Sequence, residues 1–573
     1  MMVESDITGE ESPSGQSFLE MSWPYAAFLF FVAGYSYLFL ADGFNATDEG
    51  YLQSLAQRIV DGELPYADFY FLRTPLSLYL QAAFIYLFGS SYTVLAARAF
   101  WTVQTVAIAF VLVPVYRRFV SRCELLILLC STWVVSSQLI AFPWYSYDAV
   151  FFALIALVLY HRRWFGLTGV AIFLAALSKQ NYLVFLPVFV ALTWLLQTRY
   201  RRTLLSLAGV LKIILGFIVP TICYVGYLEL WGGGLDTFVR NVFVLPGKTS
   251  EVSAVFAIFQ NHHVAFAFSL PALGGVLLWY YFRRERIWLV IPAALLTAGA
   301  GWLISRHFMF YAYALVTLNY GLLIHVLVIT WRNKELQNTT LFRWLLPLIP
   351  FCIALQYMAA FNYVGLTFGY MGAAPGLIVA WLLWREQSPS PYRKTVAMAF
   401  LLVIMGTGLY YKYSNVSRDA PRKFLYTEFA SAKLSGIQST RRNVGQIDHL
   451  VATVEKYTEP GDYILVFPDM PTLYYLTDRR NPTPIGWYVL LEFTSEMMQE
   501  SLAQLEKNRP RLVLLQSYPE SDYRRKGDQL DYLRINRYRP FLMWLLANYK
   551  MLEMVGDVAI FVPGSPVADQ KGN

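Results

Sequence analysis

Charge is scarce in this chain. Only 15% of its 573 residues are Asp, Glu, Lys or Arg, against 57% hydrophobic. A soluble protein of this length divides into several domains and carries more charge, so that class is excluded. Cysteine is scarce as well: Cys123, Cys130, Cys223 and Cys352 lie in or beside apolar runs. Without CxxC or Cys/His spacing they point to neither a disulfide scaffold nor a zinc module, and read as small buried residues. His262-His263 is the one adjacent histidine pair. Neighbouring side chains point apart on a helix and no ligand cluster surrounds them, so no metal and no other cofactor is expected. Met1–Glu20 contains no Lys or Arg, which does not look like a signal peptide, and residues 1–22 read as a disordered cytoplasmic tail. The net charge of +8 comes from short clusters between apolar runs, not from a basic stripe, so no nucleic-acid partner is expected.

What the chain has in abundance is apolar runs of membrane-crossing length. By the roughly 20-residue criterion there are about thirteen. They lie near 23–41, 92–116, 123–142, 146–160, 165–178, 181–198, 204–230, 261–282, 287–304, 307–330, 342–360, 363–384 and 396–412. Every second loop is basic: Arg117-Arg118 with Arg122, Arg162-Arg163, Arg199 with Arg201-Arg202, Arg283-Arg284 with Arg286, Arg332 with Lys334, and Arg385 with Arg393-Lys394. The positive-inside rule places these loops in the cytoplasm. The N-terminus is then inside, and residues 42–91, 231–260 and everything after about 412 are outside. The expected class is a polytopic α-helical protein of the plasma (inner) membrane, with membrane lipids as its surroundings.

After residue 412 charge returns and the pattern changes. Gly445 to Tyr457, Phe493 to Lys507 and Arg539 to Tyr549 have helical period. Tyr463 to Phe467, Leu512 to Gln516, and two runs near 551–555 and 558–562 read as strands. Residues 413–573 are expected to form a small extracytoplasmic α/β domain without a glycine-rich phosphate loop. No internal repeat is visible.

The chemistry-bearing stretch is Asn45 to Gly89. Asp48-Glu49 opens a segment in which Tyr51, Leu52, Leu55, Ala56 and Ile59 form an apolar stripe, and Asp61-Gly62 ends it. One reading is structural: Thr47 caps a helix whose first-turn acids suit its dipole. The other is functional: the helix lies on the bilayer surface and directs a carboxylate into a cavity, where it takes a proton from an incoming hydroxyl or amine.

Thr47–Tyr51, Gly62-Glu63-Leu64-Pro65-Tyr66, Asp68 through Leu76 and Leu87-Phe88-Gly89 resemble the first outer loop of the GT-C membrane glycosyltransferases. The branch resembled is the bacterial one related to dolichyl-phosphate-mannose–protein mannosyltransferases and the lipid A aminoarabinose transferase. Weaker matches follow in order at Pro143–Asp148, Leu177–Gln180, Arg306–Tyr311 and Pro471–Leu476. The resemblance implies a GT-C-like domain over 23–412 and an inverting transfer of a sugar from a polyprenyl-phosphate donor to a glycan, lipid or protein acceptor on the outer face. It makes Asp48 the base or acceptor-orienting acid and Glu49 its less essential partner. Leu72 stands where the aminoarabinose enzyme has an acid, which argues against that sugar.

A lipid-phosphate leaving group needs cations. Arg73, Lys179 and Arg306 all fall at expected outer ends of spans or in the outer loop. For Lys179 the alternative is an end-of-helix lysine reaching the interface. Asp68, Tyr66, Asp148, His307 and Tyr311 are candidate cavity residues, Asp148 because an acid inside a span is costly. Two other classes compete with the glycosyltransferase. One is an O-antigen ligase or polymerase type of enzyme. The other is a flippase or transporter, against which stand the absence of two similar halves and the gathering of polar residues at one face.

The topology is checked by reporter fusions after Arg202 and after Lys412, which should report opposite sides of the membrane. The same side for both would overturn it.

Overall fold

The computed structural model describes residues 18–246 (apart from 90, 138–141 and 202), 334–360, 372–386, scattered positions between 402 and 416, 419–488, 493–516 and 528–564. The chain is mostly helical. Its first part contains α1 (Phe18–Phe39), α2 (Asp48–Val60), α3 (Leu76–Phe88), α4 (Thr93–Val111), α5 (Arg122–Ser137), α6 (Tyr145–His161), α7 (Phe165–Ser178), α8 (Phe185–Tyr200) and α9 (Leu207–Leu230). Then come α10 (Thr340–Leu345), α11 (Ile349–Ala360) and α12 (Ala373–Glu386). Three helical runs among the described residues, Thr93–Phe119, Gln180–Tyr200 and Leu207–Leu230, are long and apolar enough to cross a membrane. The expected spans near 261–282, 287–304 and 307–330 lie outside the described residues.

The apolar runs form helices because no water competes for their backbone groups in lipid, so each segment must satisfy itself. Close packing then depends on small residues. Gly169 on α7 faces α9, where an added Cβ would sit 2.0 Å from the Ile213 carbonyl oxygen; Gly216 on α9 meets the Gly166 carbonyl oxygen at the same 2.0 Å. These glycines let two backbones touch, as small residues do between membrane helices.

In the C-terminal part, α13 (Arg441–Tyr457), α14 (Thr472–Thr477), α15 (Ser495–Lys507) and α16 (Asp528–Asn548) surround a four-stranded sheet. Its strands are β1 (Ile464–Phe467), β2 (Leu512–Gln516), β3 (Tyr549–Val555) and β4 (Val558–Pro563), in the order β1-β2-β4-β3. β1 and β2 are parallel, with Ile464 opposite Leu512. β3 and β4 form a hairpin around Gly556-Asp557, with Val555 opposite Val558. The turn needs Gly556 at φ +62°, as two-residue hairpin loops do. The four runs read as strands from their apolar patterning are the four strands of this sheet. Pro471–Leu476 runs into the buried helix α14, with Pro471 at its N-cap, and α16 begins eleven residues before the Arg539 start read from the periodicity.

The C-terminal part and the first loop are stitched together. Gln438 N–H donates to the Ala41 carbonyl, and Gly43 N–H to the Gln438 carbonyl, both at 2.7 Å. Arg422 Nε donates to Asp42 Oδ2 at 2.7 Å, and Tyr70 N–H reaches the Pro484 carbonyl at 2.8 Å. One consequence corrects an expectation: α2 does not lie open on a bilayer surface. Every residue from Asp48 to Ala56 is buried, because α14 covers it. Tyr51 packs on Trp487 with ring centroids 5.0 Å apart, and a Cβ at Gly50 would lie 2.0 Å from Thr472 Cβ.

Gly50→Ala should therefore push α14 off α2, lowering the thermal midpoint by the equivalent of about 1–3 kcal/mol and opening the C-terminal part to protease. Gly34→Ala, with nothing within 4 Å of the new Cβ, is the matched control. Equal midpoints for the two variants would refute this packing.

Candidate functional site

The first loop begins with a fold-back that the sequence carries in Asn45. Its Oδ1 accepts from Thr47 N–H at 2.9 Å and Asp48 N–H at 3.0 Å, so it takes two of the orphan donors at the start of α2. Thr47, expected as the cap, makes no side-chain cap bond. At the other end, Gly62 at φ +94° turns the chain and its N–H returns to Ile59.

Glu49 faces inward. Arg98 on α4 donates Nε to Glu49 Oε1 at 2.6 Å and Nη2 to Oε2 at 2.7 Å. The same guanidinium donates to the carbonyls of Leu40 at 2.9 Å, Asp42 at 3.3 Å and Gly43 at 2.7 Å. Both side chains are buried, at 0% and 1% exposure. Such a bidentate pair, fully desolvated, holds only because all the remaining donors are used. Glu49 is thus the anchor that fixes the first turn of α2, and Asp48 rides on that turn. Asp48 as a residue is at the edge of burial, 9% exposed, and its Oδ2 is buried. Around the same cluster, burial pushes the Asp42 carboxyl up, and the Arg422 guanidinium draws it back. Lys412, 1% exposed, stands within electrostatic reach of Arg98, Glu49 and Asp42.

The irregular segment Tyr70–Thr74 then runs to the cations. Thr74 Oγ1 donates to the Ala176 carbonyl on α7 at 2.9 Å. Just past the end of α7, Gln180 Nε2 donates to the Leu72 carbonyl at 3.0 Å, which also accepts from Arg73 Nη1 at 2.9 Å. These bonds bring Arg73 and Lys179, more than a hundred residues apart, to one place, close enough for their charges to act on each other. Lys179 is 3% exposed, and its Nζ has no hydrogen-bond partner among the described residues. It is buried and does not reach for an interface. Arg73 lies over the Tyr145 ring at 5.6 Å, a cation–π contact. One turn further along α6, Asp148 is 3% exposed and accepts from Gln104 Nε2 at 2.5 Å.

Of the cavity candidates, Tyr66 is buried and its hydroxyl donates to the Arg73 carbonyl at 2.8 Å. Asp68 is exposed and closes a local turn by accepting from Leu64 N–H at 2.7 Å. Arg306, His307 and Tyr311, like His262 and His263, lie outside the described residues. Among the described residues no cluster of His, Cys, Asp or Glu could hold a metal ion. Three participants went unread in the sequence. Asn45 and Gln104 gave no signal above an ordinary polar residue. Arg98 did: it is a lone charge inside an apolar run, and such a residue has a partner by default.

No family model and no curated protein matches the chain. Among solved structures it is similar to the archaeal oligosaccharyltransferase AglB from Archaeoglobus fulgidus in complex with an inhibitory peptide and a dolichol-phosphate. The identity is 12%, over 87% of this chain and 70% of that one, with a TM-score of 0.46. It is also similar to ArnT from Cupriavidus metallidurans bound to undecaprenyl phosphate, at 14% identity, over 96% and 99% of the chains, with a TM-score of 0.47. The apo state of ArnT gives 14%, 95%, 98% and 0.43. All three TM-scores lie below 0.5, so the functional reading is drawn from this chain's own residues.

Arg98→Met should leave Glu49 charged and buried, at a cost of about 3–5 kcal/mol. Adding Glu49→Leu should recover most of the loss, since both charges then go. Thermal midpoints in detergent test this; a double variant no better than Arg98→Met would refute the pairing.

Proposed function

We propose that this chain is a membrane glycosyltransferase that moves a sugar from a polyprenyl-phosphate donor to an acceptor hydroxyl or amine. The supporting observation is the convergence of Arg73 with a buried Lys179 whose ammonium has no acceptor among the described residues. Two cations crowded into a low-dielectric site repel each other, and an anion between them relieves the cost. A lipid phosphate fits: Arg73 offers a planar fork and Lys179 a point charge.

In this reading the acceptor oxygen or nitrogen gives its proton to Asp48 and bonds to the anomeric carbon. The carbon–oxygen bond to phosphate breaks, and the electron pair stays on the phosphate oxygen. Negative charge therefore grows on the phosphate as the sugar leaves, where Arg73 and Lys179 stabilise it more in the transition state than before it. Glu49, held by Arg98, positions Asp48 and does not react. Arg306 is proposed as a third donor cation, and Asp148, tied to Gln104 near Tyr145, as a wall of the same cavity. Attack from the face opposite the phosphate gives inversion. The proposed setting is the outer face of the plasma membrane, with about thirteen spans and the C-terminal α/β part covering the first loop. A flippase would need neither the proton acceptor nor turnover of its substrate.

The test uses the full chain in proteoliposomes with a polyprenyl-phosphate sugar, following release of polyprenyl phosphate. Asp48→Asn should keep donor binding and lose transfer by on the order of 10²-fold or more. Lys179→Met should weaken donor binding itself. Wild-type transfer by a folded Asp48→Asn protein, or donor movement without release of polyprenyl phosphate, would overturn the proposal.

A further inference from the structure

The opposite end of the helical bundle carries a second cationic site with a built floor. Arg118 lies in the turn Arg117–Phe119 after the α4 run, and its guanidinium sits over the Trp344 ring, 3.0 Å from the centroid. His161, the last residue of α6, meets the same indole edge-on, with centroids 4.0 Å apart. Trp344 is itself pinned, since its Nε1 donates to the Val115 carbonyl at 2.8 Å. Three segments far apart in sequence thus share one aromatic platform.

None of Arg117, Arg118, Arg162 and Arg163 has an acidic partner among the described residues, and all four are exposed. The nearby Glu124 carboxylate is engaged by Ser121 N–H at 2.7 Å. His161 Nε2 is buried without a hydrogen-bond partner among the described residues, and both Arg118 and Arg162 are within electrostatic reach of it. The loop that presents Arg162 and Arg163 is fixed: Arg163 adopts φ +61°, its N–H returning to Tyr160 and that of Trp164 to Leu159, each at 2.9 Å. Next to these charges Trp164 and Leu167 are more than half exposed, at 54% and 53%. Arginines without an acidic partner among the described residues, beside an exposed tryptophan and an apolar helix surface, mark a bilayer interface.

A run of arginines on this side follows from topology alone, but topology requires no indole platform, no stacked guanidinium and no imidazole packed against the same ring. We infer that Arg118, Arg162, His161 and Trp344 form a binding site for the phosphate headgroup of an anionic phospholipid in the leaflet on this side. The arginines supply charge and fork geometry, and the exposed Trp164 and Leu167 border the acyl chains. The inference does not depend on the glycosyltransferase reading.

The full chain is reconstituted in nanodiscs of phosphatidylcholine with and without phosphatidylglycerol, then extracted into detergent, and the retained lipid is counted by native mass spectrometry. Wild type should retain phosphatidylglycerol over phosphatidylcholine. Arg118→Gln with Arg162→Gln should cut that preference by about fivefold per arginine, on the order of 25-fold for the pair. Lys334→Gln, an exposed cation ten residues before Trp344 that is not part of the platform, should change it little. Trp344→Leu removes the platform while keeping every charge, and should also abolish the preference if the protein stays monodisperse. Equal retention of the two lipids by wild type would overturn the inference. So would a loss per charge from Lys334→Gln as large as from the arginines, which is the signature of a diffuse field. Full displacement of the lipid by millimolar inorganic phosphate would also overturn it, since the site would then belong to a soluble anion.

Discussion

The arrangement depends first on one buried ion pair. Arg98 spends its guanidinium on both oxygens of Glu49 and on three carbonyls of the chain leaving α1. The cost of burying these charges is offset only if every donor is met, so the pair tolerates one geometry of the loop and no other. That rigidity passes directly to Asp48, which is adjacent to Glu49 on the first turn of α2. A reacting carboxylate must be held within a fraction of an ångström, and the neighbour that does not react is the one that holds it.

The second constraint is coverage. A helix that buried only its apolar stripe would leave its polar face in water; α2 instead buries nine consecutive residues. This is possible because α14 and Trp487 approach from the far side, and because Gly50 and Gly486 leave room. A Cβ at Gly486 would sit 2.5 Å from Leu55 Cδ2. Ionic contacts extend the same seam: Arg240 reaches Glu496 at 3.5 Å, and Glu500 accepts from the Tyr70 hydroxyl. The C-terminal part is therefore a wall of the loop that carries the candidate chemistry, and a change there can reach the site through packing alone.

The two ends of the bundle use cations in different ways. At one end Arg73 and Lys179 are drawn together by side-chain hydrogen bonds to backbone carbonyls, with the lysine buried and its ammonium without an acceptor among the described residues. At the other, Arg118 and Arg162 stay exposed around an indole. The first arrangement concentrates charge where water is excluded and electrostatic interactions are strong; the second spreads it at an interface where solvent screens it.

Much of this was written in local sequence. Long apolar runs determine helices because lipid offers the backbone no other partner, and α7 begins and ends where its run does. The strands after residue 460 follow from short apolar runs, ILVF and LVLLQ among them, bounded by Pro and Gly. Asp48, Arg73 and Lys179 stood out because charged residues are rare here and sit at the ends of apolar runs. Tertiary structure decided what those residues meet. No periodicity says that Glu49 faces Arg98, since an acid in a first turn suits the dipole whether or not a guanidinium lies 49 residues away. The exposure of α2 was decided the same way, because its apolar stripe is visible in the sequence while the element covering its polar face lies more than four hundred residues further on. Local patterns report the backbone's own preferences over a few residues; pairing across the chain depends on which surfaces the fold brings into contact.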